Sequence, residues 1–111
     1  MGKAFGQHKA GIMNSTEKAY AQILELQKAN GTIKGWWFEA MTFKLGSDCR
    51  YTPDFMVQMP SDEIEFHEIK GGVWRDDSRV KLRMAADKFP FRFRGYTLVK
   101  KHWQEEDFTV K

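Results

Sequence analysis

A hairpin constrains this chain more than any other stretch. Residues 51–70 read YTPDFMVQMPSDEIEFHEIK. An apolar-rich run over 55–59, a Pro60-Ser61-Asp62-Glu63 turn cluster and a β-branched and aromatic run over 64–70 predict two antiparallel strands. A turn centred near Ser61 sets Asp54 directly across from Glu68, with Cβ atoms roughly 4.5–5.5 Å apart. Lys70, two residues beyond Glu68, shares its face. Two carboxylates and one ammonium thus gather at one end of a sheet. Opposed like charges destabilise a strand pair, and a hard divalent cation, which takes carboxylate oxygens, resolves the conflict.

At 111 residues, 41% hydrophobic and 14% aromatic, the chain is sized for one domain with a real core. No apolar run reaches the roughly 18 residues of a membrane span. The opening MGKAFGQHKAG lacks the apolar region of a secretory signal. The lone Cys49 excludes an internal disulfide and fits a reducing, cytoplasmic setting. Residues 1–13 mix Gly, Lys, His and Gln without periodicity and are expected to form a flexible arm, followed by a single domain over 14–111.

Asn14 with Glu17 three residues on predicts a capping box. A helix follows to Asn30-Gly31, with Ala19, Ile23 and Leu26 on its apolar stripe beside Tyr20 and Leu24. Residues 32–45 read as one first strand with its lead-in, the Trp36-Trp37 pair packing into the core. Gly46-Ser47-Asp48 reads as a turn, and 49–52 as the approach to the hairpin. Asp76-Asp77-Ser78 caps a second helix that stops near Phe89, ahead of Pro90, with Leu82, Ala85, Ala86 and Phe89 inward. Residues 91–101 read as the last strand, with a bulge at Gly95. Residues 102–111 read as a tail whose Glu105-Glu106-Asp107 cluster is solvated. The expected fold is therefore mixed α/β, in the order α-β-β-β-α-β.

Pro53-Asp54 and Glu68-Ile69-Lys70, with a glutamate-bearing helix before the hairpin and a basic helix and strand after it, resemble the PD-(D/E)xK nuclease superfamily over roughly residues 14–100. With Lys70-Gly71 closing the last strand of the hairpin, the pattern is most similar to small phage-encoded endonucleases of that restriction-endonuclease-like fold. The resemblance implies metal-dependent hydrolysis of DNA phosphodiester bonds. Asp54, Glu68 and the backbone carbonyl of Ile69 would hold Mg²⁺ or Mn²⁺. Lys70 would steady charge on the phosphoryl oxygens. Glu17 would serve as a further metal or water ligand, alongside its capping role. The cut would leave a 5′-phosphate.

Charge is unevenly spread. Residues 1–70 carry 8 Lys/Arg against 9 Asp/Glu, whereas 74–101 carry 9 against 3. Arg75, Arg79 and Arg83 fall at four-residue spacing on the second helix, and Lys81 and Lys88 add to that ridge. These residues are expected to contact phosphates, with Arg83–Asp87 pairing as the alternative. Gly71-Gly72 lets a phosphate backbone come close, or simply gives a sharp exit from the strand. His67 points to the face opposite Glu68 and lacks CxxC or HxxxH partners for zinc. No Ser-His-Asp arrangement and no phosphate-cradling GxxxxGK[ST] are present.

With little sequence left over for base-reading loops, the expected substrates are branched, junction or flap DNA, as for a Holliday junction resolvase. RNA is the alternative polymer. A core of this kind reads DNA shape, acts as a homodimer or borrows specificity from a partner. If phage-encoded, it would work in the host cytoplasm. Two other readings stand beside catalysis: a nucleic-acid-binding module on the same fold that does not cut, and a structural phage protein whose charged trio is merely solvated.

Overall fold

A computed structural model of the chain describes residues 5–7, 11–74 and 76–109. In chain order the elements are β1 (Phe5–Gln7), α1 (Ser15–Ala29), β2 (Gly35–Phe38), β3 (Met41–Gly46), β4 (Cys49–Tyr51), β5 (Phe55–Gln58), β6 (Ile64–Lys70), α2 (Asp76–Lys88), β7 (Arg92–Val99) and β8 (His102–Asp107). The fold is mixed α/β. A five-stranded sheet has the order β2-β5-β6-β7-β8, and a three-stranded sheet has the order β1-β3-β4. In the larger sheet β6 and β7 run parallel, joined through α2, and the other neighbours are antiparallel.

The α1 capping box forms as read. Asn14 accepts the Glu17 amide (2.8 Å) and Glu17 Oε1 accepts the Asn14 amide (2.9 Å). Gly31 ends the helix with φ 83°, a left-handed conformation suited to glycine. The buried face is rotated from the expected stripe. It runs Glu17, Tyr20, Ala21, Leu24, while Leu26 is 69% exposed.

Residues 32–45 are two strands rather than one. Glu39, at φ 47°, turns the chain out of the larger sheet and into the smaller. β2 stays in the larger sheet, where Trp36 packs edge-on to Phe55 (5.8 Å) and donates its indole N–H to Glu25 on α1 (2.9 Å), while Trp37 lies largely exposed. β3 joins β4, which makes residues 49–51 a strand of the smaller sheet.

Two further expectations are corrected at the C-terminal end. Residues 102–107 form β8, turned back at Lys100 and Lys101, which have φ 49° and 67°. The acidic cluster on this strand is paired: Glu105 with Arg94, Glu106 with Arg79 and Arg83, Asp107 with Arg92 and Arg94. No bulge occurs at Gly95, where register is continuous with both neighbours. Glycine is needed there because a Cβ would stand 2.5 Å from the Trp74 ring. Of the expected arm over 1–13, Phe5–Gln7 pairs with β3, and residues 1–4 and 8–10 lie outside the described residues.

Two cores flank the larger sheet. On one face α1 supplies Tyr20, Ala21 and Leu24 against Ile33, Phe55, Val57 and Ile69. On the other, α2 and the smaller sheet meet through Leu82, Ala85, Phe89, Phe43 and Phe66. Among the described residues no helix is long and apolar enough to cross a membrane.

Candidate active site

The hairpin register is the one read from the sequence. Phe55 faces His67 and Gln58 faces Ile64, so the next step outward brings Asp54 opposite Glu68. Asp54 sits just ahead of β5, and its Oδ2 accepts the Ile69 amide at 2.7 Å. That bond locks Asp54 onto the C-terminal end of β6. β6 runs parallel to β7 and leads into α2, so this group stands at the carboxyl end of a parallel strand pair. That end is the place where open α/β sheets bind ligands.

Four elements converge there. Asp54, Glu68 and Glu17 are buried to 8%, 7% and 9% exposure. Lys70 Nζ lies 3.4 Å from Glu68 Oε2 and donates to Ser78 Oγ in the first turn of α2 at 3.3 Å. Tyr51, at the end of β4, donates its hydroxyl to Glu68 Oε1 at 2.8 Å. The carboxyl of Glu17 reaches the Asp54 carboxyl from the first turn of α1, so its capping role and its place at the site coexist. Gly71 makes this convergence possible, since a Cβ there would stand 2.7 Å from Thr16 Oγ1. Its role is close approach of α1, whereas the adjoining Gly72 turns with φ 120° in open space.

Burial pushes the Asp54 carboxyl up to about 9, and repulsion from Glu68 and then Glu17 adds to the rise, while the Ile69 amide opposes it. Glu68 is also raised by burial, against the pull of Lys70 and Tyr51. Three carboxylates share this end of the sheet with one ammonium. Low-dielectric surroundings make that excess of negative charge costly unless a proton or a cation compensates it.

The donor set suits a hard divalent ion: carboxylate oxygens beside a strand-end peptide. Among the described residues no three His, Cys, Asp or Glu side chains stand in an arrangement that closes around an ion. Mg²⁺ does not require one, because it is held through one or two carboxylates and keeps the rest of its shell as water and substrate oxygens. Asp54 and Glu68 are two such carboxylates at one strand end, with the Ile69 amide bonded to Asp54 Oδ2.

His67 lies on the opposite face of β6. Its Nε2–H donates to Glu65 (2.9 Å) and its Nδ1 accepts the Tyr20 hydroxyl (2.7 Å). Burial lowers its basicity, consistent with a neutral ring whose two nitrogens are both engaged. It has no lone pair left for a metal.

The basic ridge differs from expectation. Arg79 donates to Glu106 at 2.6 Å and lies over the Trp74 ring at 5.1 Å. Arg83 lies 3.7 Å from the same carboxylate and over Phe108 at 5.3 Å. Its partner is therefore a strand residue distant in sequence rather than Asp87. Lys81 is partly buried on α2 and has no acidic partner among the described residues. Arg75 lies outside the described residues.

Two contributors were not singled out from sequence. Tyr51 gave no signal beyond being a strand aromatic. Trp74 gives Lys70 an aromatic neighbour, with Nζ 5.7 Å from its ring, and donates to Thr97 at 2.8 Å. The pairing of Gly95 beside Glu68 on β7, with an aromatic after the glycine loop, could have pointed to it.

Comparison with protein-family models, curated proteins and solved structures found no match.

Proposed function

We propose that this protein is a divalent-metal-dependent endonuclease that hydrolyses DNA phosphodiester bonds. The observation that carries the proposal is the buried Asp54–Glu68 pair, with Asp54 pushed up to about 9 and Lys70 Nζ 3.4 Å from Glu68. Such a pair is unstable in charge by itself and suited to a cation. Its resemblance to the PD-(D/E)xK signature supports the same reading.

Asp54, Glu68 and the Ile69 carbonyl would hold Mg²⁺ or Mn²⁺, which when bound polarises a phosphoryl oxygen and acidifies water. Lys70 keeps its ammonium at the rim of the site, where it meets charge growing on the phosphoryl group. Ser78 and the Trp74 ring fix the reach of that ammonium. Glu17, anchored through Oε1 to the Asn14 amide, orients water at the inner side. Arg79, Arg83 and Lys81 give the neighbouring face its positive charge, as a polyanionic partner requires.

Incubation with single-stranded, duplex, flap and four-way DNA in Mg²⁺ and Mn²⁺ tests the proposal. Wild type is expected to cut, with branched or flapped DNA preferred, and Asp54→Ala and Lys70→Ala are expected to be inactive. Equal nicking by all three would remove the assignment. Salt-dependent retardation of DNA by wild type without any cleavage would instead favour a binding module.

A further inference from the structure

We infer that Tyr51 is a positioning residue that fixes Glu68 for the ion, so that the smaller sheet serves the site as well as the core. The inference rests on the metal-site reading above. Tyr51 ends β4, opposite Phe43 of β3, and is 6% exposed. Its hydroxyl reaches across the interface between the sheets to Glu68 Oε1 at 2.8 Å, while Lys70 Nζ stands 3.4 Å from Oε2. Each oxygen of Glu68 thus has a different partner, delivered by a different element. Next to Tyr51, the Thr42 and Thr52 hydroxyls are 2.8 Å apart and tie the end of β4 to β3.

A phenol suits this position chemically. A second lysine would neutralise Glu68 and weaken its hold on a cation. A neutral donor fixes the carboxylate and leaves its charge available. Partners that orient a ligating carboxylate typically govern metal affinity by about 10–100-fold.

Titration calorimetry with Mn²⁺ alone, on the full chain, tests this. Tyr51→Phe keeps the ring and removes the donor. It is expected to weaken Mn²⁺ binding about 10–100-fold, and DNA cleavage should recover at correspondingly higher Mn²⁺. Thr42→Val, which loosens the same corner without touching Glu68, should bind Mn²⁺ like wild type. In a Glu68→Asp background the shortened carboxylate is drawn away from Tyr51, and adding Tyr51→Phe should change nothing further. Wild-type affinity in folded Tyr51→Phe, or an equal loss in Thr42→Val, would overturn the role of Tyr51 and leave the metal site standing. No Mn²⁺ binding by wild type would overturn both.

Discussion

Replacing Asp54 by Asn should stabilise the metal-free protein at alkaline pH, although it destroys the candidate site. In the unfolded chain Asp54 ionises near 3.8, whereas in the folded protein it keeps its proton up to about 9. Between these values the folded state binds the extra proton, so stability is full below the lower value and falls as pH rises through the window. One such group contributes a slope of about 1.4 kcal/mol per pH unit. From pH 7 to 8.5 the loss is about 2 kcal/mol, or roughly 10 °C in Tm for a domain of this size. Glu68, raised as well, acts in the same direction. His67 is shifted down, so its effect is confined to acid pH, where stability rises as the unfolded chain loses its extra proton. Melts in a chelator should show wild type losing Tm more steeply across this range than Asp54→Asn, which keeps only the Glu68 contribution. An Asn side chain still presents an oxygen to the Ile69 amide and gains an N–H for Glu17. In excess Mn²⁺ the order should reverse, because only wild type gains from binding. Parallel pH curves for the two proteins in chelator would refute the reasoning, since they would show that Asp54 carries no raised proton.

Three other outcomes are expected. Glu106→Gln frees Arg79 and Arg83 from a carboxylate at 2.6 and 3.7 Å; DNA should be retained several-fold more tightly at low salt, with a stability change of about 1 kcal/mol or less because both pairs stay partly open to solvent. Unchanged retention would show that Glu106 does not compete with phosphate. Gly71→Ala places a methyl 2.7 Å from Thr16 Oγ1 and should destabilise the protein by about 1–3 kcal/mol in denaturant melts while lowering Mn²⁺ affinity; an unchanged midpoint would mean that α1 yields freely. Phe43 is fully buried against Phe66, Phe89 and Phe93, with ring centroids 4.9, 4.7 and 5.6 Å away. Phe43→Ala should cost about 3–5 kcal/mol, and a loss below 1 kcal/mol would contradict its central place in that core.

The hairpin was readable because its signals are local. A Pro-Ser-Asp-Glu turn fixes register, and register alone carries Asp54 to Glu68. The capping box was readable for the same reason, since Asn14 and Glu17 lie three residues apart. What sequence withheld depends on long-range contact. The split of 32–45 between two sheets rests on one left-handed residue, Glu39, with no glycine to mark it. β8 went unread because an acidic strand resembles a solvated tail until its cationic partners are known, and those sit on β7 and α2. The same pairing hid the true state of Arg79 and Arg83. Tyr51 was invisible as a contributor because its partner is 17 residues away and belongs to the other sheet.

The double employment of Glu17 makes helix fraying a gauge of occupancy. Its carboxylate holds the Asn14 amide through Oε1 and also neighbours Asp54, so an ion that draws the carboxylate inward lengthens and weakens the bond at the start of α1. Amide hydrogens in the opening turn would then exchange faster as the pocket fills, while the remainder of the helix stays protected. Loading could thereby be followed in the intact chain by watching a few backbone protons, with neither substrate nor cleavage required.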